Sequence, residues 1–317
     1  MTELVDGPPA GPAPAPGYVT FTREQWATLG RATPARGPDR DGDGDAGVDW
    51  EADGPVSPGE PVQIYLPLCR LLSAVASAGR ARARRVAEFL DVSDGHQPFV
   101  IGLAGSVAVG KSTVAREMEA LLGRDPDLAS VEVISTDSFL YPNDELEARG
   151  LSARKGFPES YDRSRLVATL AAVRAGTDEV PVPVYSHRDY DIVPGRHHLV
   201  RRPAALIVEG LNVLQVGDDV GRGDGGRDEL AGYATTLVSD LLDWSIYIDA
   251  AEADIARWHS ERLLGLRRSG IEDPAGFLGW FCSLSDEEAR AVAEGAWSGI
   301  NSVNLREHIA PTRLRLP

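Results

Sequence analysis

The stretch Gly105-Ser-Val-Ala-Val-Gly110-Lys111-Ser112 decides how this chain is read. The apolar run Phe99-Val-Ile-Gly-Leu-Ala104 precedes it, and a helical pattern from Thr113 to Leu122 follows. Its glycines let backbone N–H groups turn inward around an anion, while the next helix aims its positive dipole end at the same point. The lysine and serine complete the pattern G-x-x-x-x-G-K-[ST]. In it the ammonium reaches the outer phosphates of a nucleotide and the hydroxyl holds Mg²⁺. Gly105, Ser106, Val107, Ala108, Val109, Gly110, Lys111, Ser112 and Thr113 are thus the expected phosphate-binding set. The alternative is a glycine-rich turn between strand and helix, which rarely carries both lysine and serine. Lysine has nearly vanished from this chain: of 32 basic residues only Lys111 and Lys155 are lysine. A planar guanidinium does not replace a compact ammonium in so tight a loop.

The 317 residues leave room for one large α/β domain or two smaller ones. A net charge of −16 argues against a nucleic-acid partner, because phosphate backbones favour basic surfaces. Cys69 and Cys282 lie far apart and fit no metal or CxxC spacing, so free buried thiols in a reducing cytosol are expected. Glu3 and Asp6 stand where a signal peptide would be basic, and no apolar h-region follows. No apolar run approaches membrane-spanning length on this reading, which makes the protein cytoplasmic and free of the membrane.

Residues 1–17 are rich in Pro, Ala and Gly and are expected to form a disordered tail. Tyr18 to Leu29 reads as a strand or short helix anchored by Phe21 and Trp26. Residues 34–61 form an acidic loop whose centre, Asp39 to Asp45, imitates the start of an EF-hand. The imitation fails at the twelfth position, Trp50, and Glu51 comes one place late. Val62 to Leu90 reads as helix, with Tyr65, Leu66, Leu68, Leu71 and Leu72 as one apolar face and an Arg-rich amphipathic stretch from Ala78 to Phe89.

From Pro98 the pattern alternates strand and helix. The strands expected are Phe99–Ala104, Val131–Thr136, Ala205–Val208 and Ser245–Ile248, short and apolar as buried parallel strands are. Arg165–Ala175, Glu252–Arg268 and Asp286–His308 read as helices, the last open to breaks at Gly295 and Gly299. Gly217 to Asp228 reads as a surface loop. The fold class is α/β, with a mostly parallel central sheet of the P-loop NTPase type flanked by helices. One domain, 18–317, divides into an N-terminal helical extension, 18–96, and a kinase core, 97–317.

Asp137, Glu209 and Asp249 stand at the ends of three strands and therefore point toward one crevice. Asp137 is the candidate base for an acceptor hydroxyl, with a helix N-cap as its alternative role. Glu209 ends an apolar strand as a Walker-B acid does and could hold Mg²⁺, or could cap the next turn. Arg257, Arg262, Arg267 and Arg268 share one helix, and an arginine from such a helix can neutralise the transferring phosphoryl group. The sequence does not choose among them. His187-Arg188-Asp189 imitates a protein-kinase catalytic loop, but its companion motifs are absent. Ser186–His187 lacks the G-x-S-x-G elbow of a hydrolase.

Tyr65-Leu-Pro-Leu, Gly102-Leu-Ala-Gly-Ser-Val-Ala-Val-Gly-Lys-Ser-Thr113 and Gly156-Phe-Pro-Glu-Ser-Tyr-Asp162 closely resemble the bacterial type I pantothenate kinase family. So do Pro183-Val-Tyr-Ser-His187, Val208-Glu-Gly-Leu-Asn-Val-Leu-Gln215 and Ile309-Ala-Pro-Thr-Arg313, in family order from about Tyr18 to Arg313. The resemblance implies phosphorylation of pantothenate by ATP with Mg²⁺, the first step of coenzyme A synthesis, by a homodimer. It also implies roles by matching motif. Lys111 and Ser112 handle phosphate and metal, Glu209 the metal, Asp137 the acceptor hydroxyl, and Arg262 the phosphoryl group. Tyr185, His187 and Asn301 line the pantothenate pocket, with His259 near them. Arg116 and His187 serve coenzyme A as feedback inhibitor.

The chain departs from the family in several places. His259 stands near a family tyrosine, and Leu263 and Leu266 replace an aromatic pair. Asp53 replaces an asparagine near the adenine, and Ser138 a glycine. The chain stops at Pro317, where the family continues into a strand that helps close the adenine site. A kinase of another small alcohol, or a non-catalytic relative binding nucleotide or coenzyme A, are the other functions compatible with these residues.

Overall fold

The computed structural model describes residues 19–32, 61–93, 95–187, 189–215, 236–268 and 277–314. The tail, the EF-hand imitation, Asp53, Arg188 and the 217–228 loop lie outside them, as do the side chains of Leu266, Arg267 and Arg268.

The fold is α/β. In the core, β1 (Phe99–Gly105) leads through the glycine-rich loop into α3 (Lys111–Leu122), preceded in the chain by α1 (Arg23–Ala32) and α2 (Leu66–Leu90). There follow β2 (Val131–Ser135), a 3-10 turn Thr136–Phe139, α4 (Asn143–Ala148) and α5 (Arg163–Arg174). Strands β3 (Val180–Ser186) and β4 (Asp191–Val200) come next, then β5 (Ala205–Gly210), β6 (Trp244–Ile248) and α6 (Glu252–Arg268). Helices α7 (Phe277–Ser283) and α8 (Asp286–Ala296) lead to a π-turn, Trp297–Asn301, the short α9 (Ser302–Asn304) and a second π-turn, Leu305–Ile309.

The central sheet runs β2-β5-β1-β6, and every pairing in it is parallel. β1 and β5 are buried along their whole length, as expected of inner parallel strands covered on both faces. Alternation splits their side chains between two layers. Val100, Leu206 and Val208 pack with Leu166, Val167 and Leu170 of α5. Phe99, Ile101, Leu103 and Ile207 pack with Val114 and Met118 of α3 and with Cys69 and Leu72 of α2. The four expected strands and the helix over 252–268 are all present.

The structure resolves one open alternative, corrects several expectations and adds a hairpin. The N-terminal piece is a helix, with Trp26 Nε1 donating to the Ile64 carbonyl at 3.0 Å. On α2 the inward stripe is Tyr65, Cys69, Leu72 and Ala76, at helical spacing, so Leu71 faces solvent. The helix Val62–Leu90 is also long and apolar enough to cross a membrane by length and composition, although that stripe is buried against the sheet. Of the cysteines, Cys69 is buried and Cys282 only half-buried, both free. Finally, β3 and β4 form an antiparallel hairpin that alternating prolines had masked. Pro181 and Pro183 cannot donate to a ladder, and the register shifts between Pro183 and Tyr185.

Candidate active site

The phosphate loop occupies the turn between β1 and α3. Gly110, at φ 84°, is in the left-handed region that suits glycine, with open space where a Cβ would sit. Ala108 shares the left-handed conformation at φ 58°. Val107 and Val109 turn away from the cradle, against Leu211, Leu305 and Ile309. The C-terminal segment thereby supports the loop from behind.

Lys111 is buried, and its ammonium donates to the Ser106 carbonyl at 2.7 Å. Burial pushes its pKa down from the usual lysine value. The charges of Glu209 and Asp137 push it back up, and Arg262 lowers it again. Both acids and the arginine are thus near enough for their charges to act on one ammonium. Beside it, Ser112 Oγ donates to Glu209 Oε1 at 3.0 Å. A hydroxyl and a buried carboxylate side by side are hard oxygen donors, the set Mg²⁺ accepts together with substrate phosphates. Among the described residues no cluster of three or more His, Cys, Asp and Glu could hold a metal. The pair of Ser112 and Glu209 fits magnesium, which takes one or two carboxylates together with substrate phosphates.

Asp137 lies in the 3-10 turn after β2, whose N-cap Ser135 accepts from the Asp137 N–H. The turn fits so closely under β5 that Gly210 has no room for a side chain, with Thr136 Oγ1 1.8 Å from where a Cβ would sit. Around Asp137 stand Tyr161, whose hydroxyl donates to Oδ1 at 3.3 Å, and Lys155 and Tyr185, whose pKa values respond to its charge. Burial above all raises the Tyr185 phenol far above the usual tyrosine value. His187 meets the Tyr185 ring edge-on at 5.2 Å. Lys155 Nζ lies 5.5 Å from the centre of that ring and donates to Asn143 Oδ1 at 2.5 Å.

Among the arginines of α6, Arg257 is paired with Asp254 at 2.7 Å, whereas the charge of Arg262 is felt by Lys111, Tyr190 and His259. Of the two arginines of this helix with described side chains, Arg262 is the one whose charge reaches the other site residues. Asn301 donates from Nδ2 to His259 Nε2 at 3.1 Å and to the Ala296 carbonyl at 3.2 Å. The second bond fixes the amide orientation, so the imidazole accepts through Nε2 and is neutral. Burial, and then Arg262, lower its pKa below the usual value.

The arrangement thus gathers Lys111, Ser112, Glu209, Asp137, Tyr185 and Arg262, with His259 and Asn301 joined beside them. Asp249 is tied to Arg313 at 2.7 Å, and the exposed Arg116 acts electrostatically on Glu119. Lys155 and Tyr161 had not been singled out for the site. The rarity of lysine was a signal for the first. For Tyr161 only its place in the Gly156–Asp162 motif spoke, and a motif does not say which side chain turns inward.

The family model described as Phosphoribulokinase / Uridine kinase family matches residues 100–259. The chain is 46% identical over 298 residues to a protein named pantothenate kinase from Brevibacillus brevis, covering 94% of this chain and 90% of that one. Pantothenate kinases from Rhodococcus jostii and Myxococcus xanthus are 44% and 46% identical at the same coverage. A solved structure from Silicibacter sp. TM1040, named for a fructose transport system kinase, superposes with a TM-score of 0.51. It is 22% identical and covers 74% of this chain and 95% of that one, a likeness of fold alone.

Proposed function

The chain belongs to the pantothenate kinase family, within the phosphoribulokinase and uridine kinase family of P-loop kinases, and on that premise we propose that it transfers the γ-phosphoryl group of ATP to the hydroxyl of pantothenate. The observation that carries the reading is the convergence on Lys111 of a carboxylate paired with Ser112 and a second carboxylate, Asp137, on the neighbouring strand end. One acid serves the phosphate side and the other the acceptor side.

In this reading the loop amides and Lys111 hold the phosphates of ATP, and Arg262 faces the charge that develops on the transferred group. Ser112 and Glu209 would hold Mg²⁺, which when bound neutralises phosphate oxygens. Asp137 takes the proton of the acceptor hydroxyl as its oxygen bonds to the γ-phosphorus, while the bond to the β–γ bridging oxygen breaks and ADP departs. Tyr185, His187, His259 and Asn301 line the acceptor side.

The same premise carries finer proposals: a single domain from residue 18 onward, a cytoplasmic homodimer, and coenzyme A as inhibitor through Arg116 and His187. The exposed Val86, Phe89 and Leu90 on α2 support a dimer surface, to be read as a doubled mass in solution. The primary test is ADP release with purified protein, ATP, Mg²⁺ and pantothenate, beside Lys111→Ala. Turnover with pantothenate that Lys111→Ala abolishes supports the reading. No turnover, or preference for another small alcohol, refutes it.

A further inference from the structure

We propose that Tyr161 is a positioning residue for the acceptor-side base: its hydroxyl occupies Asp137 Oδ1, leaving Oδ2 to take the proton of the acceptor hydroxyl. The inference rests on Asp137 being that base. The phenol is almost wholly enclosed, and among the described residues its O–H bond to Asp137 is the one side-chain hydrogen bond it makes. A buried hydroxyl with a single charged partner fixes where that partner's oxygens lie. At 3.3 Å the bond is long for an O–H···O contact, which leaves the phenol room to tighten on the carboxylate.

The backbone around Tyr161 holds the phenol in place. An isolated antiparallel bridge joins Leu140 to Tyr161, on the far side of the turn that carries Asp137. Tyr141 N–H donates to the Ser160 carbonyl at 2.9 Å, and Asp162 N–H to the Phe139 carbonyl at 2.7 Å. These bonds zip the turn that carries Asp137 to the segment that carries Tyr161. The segment is anchored again at its start, where Asn304 Nδ2 donates to the Gly156 carbonyl at 2.8 Å. Asn304 belongs to the same C-terminal stretch as Asn301, so one clamp orders both the base and the acceptor pocket.

The phenol also has a fixed protonation state. Burial first, then the charge of Asp137, raises its pKa well above 10.0, so it stays a donor throughout the working pH range. It cannot itself act as base. Lys111 and Lys155 both respond to the Asp137 charge, so two cationic side chains stand near the carboxylate.

The test is a double-mutant cycle of Tyr161→Phe and Asp137→Asn, read as kcat and KM for both substrates, with ATP affinity by calorimetry as the control for folding. Tyr161→Phe keeps the ring and removes only the donor. The expected result is a fall in kcat of about 10-fold, a fraction of what a general base contributes. KM for pantothenate and ATP affinity should stay within about 3-fold of the parent, since binding is not the role proposed. In Asp137→Asn the second change should add nothing to the residual loss, because the partner it positions has gone. A Tyr161→Phe enzyme with parental kcat, or one whose loss persists in full beside Asp137→Asn, overturns the inference in favour of a packing role. Full activity in Asp137→Asn instead overturns the assignment of the base itself. If Tyr161→Phe binds no ATP, the same cycle with Tyr161→His, which restores a donor on a shorter ring, reads the coupling. Independence from Asp137 would again overturn the inference.

Discussion

Gly210→Ala should disable the enzyme without touching a single group that meets substrate. Gly210 follows Glu209 directly at the end of β5, and the turn carrying Asp137 lies against it. A methyl group added there would sit 1.8 Å from Thr136 Oγ1, 2.7 Å from its Cβ and 2.8 Å from its Cγ2. Real Cβ atoms essentially never come closer than 3.0 Å, so the nearest atoms must part by more than an ångström. Thr136 is wholly buried and cannot swing aside into solvent. The two strand ends must therefore separate, carrying Glu209 and Asp137 apart. Overpacking of this kind costs about 1–3 kcal/mol of stability. A misplacement of about 1 Å in a catalytic group costs on the order of 100-fold in rate. The assay is steady-state ADP release beside a thermal melt. The variant should remain folded, bind ATP nearly as the parent does and lose about two orders of magnitude in kcat. Thr136→Ala in the same chain removes the two outer atoms and should recover part of that loss. A Gly210→Ala enzyme with parental kcat and melting temperature would falsify the claim that this contact sets the spacing of the two acids.

How far the sequence could be read depended on the range of the interaction involved. The phosphate loop was legible because its chemistry is local. Glycines, one lysine and one serine sit within eight positions, and the apolar run before them can only be a buried strand. The strand-end acids were legible for a topological reason, since parallel strands deliver their C-terminal ends to one side. What pairs with what was not legible. The Ser112–Glu209 bond spans 97 positions; the motifs assigned both residues to one metal, but not the direct hydrogen bond between them. The β3–β4 hairpin escaped because proline at alternate positions mimics a loop while leaving the extended φ of a strand untouched. Leu71 was assigned to the wrong face of α2 because a run of leucines hides its own phase. Cys69 and Ala76, which are small, mark the true stripe. Spacing alone left four arginines on one helix equivalent, and Arg262 was set apart only by the family resemblance; its charge acting on Lys111, Tyr190 and His259 agrees with that assignment.

Two further outcomes follow from the same geometry. Glu209→Gln leaves the Ser112 hydroxyl an acceptor yet removes the charge beside it. The Mg²⁺ concentration for half-maximal rate should rise by about 10-fold or more, while KM for pantothenate changes little. An unchanged magnesium requirement would remove Glu209 from the metal side. The last prediction concerns pH. His259 accepts the Asn301 amide hydrogen through Nε2, so a proton on that nitrogen puts donor against donor. Its folded pKa lies below the ordinary imidazole value of 6.5, lowered first by burial and then by Arg262. A lowered base is neutral in the folded chain while the unfolded chain still binds a proton. Its contribution to stability is thus complete above pH 6.5 and declines as pH falls toward the folded pKa. Acidification through that window should charge the ring, release Asn301 and raise KM for pantothenate, with KM for ATP moving less. In His259→Gln the amide carbonyl can take the same Asn301 hydrogen but carries no titrating proton, so KM should lose that part of its pH dependence. A variant whose KM climbs with acid as steeply as the parent's would place the sensitive group elsewhere.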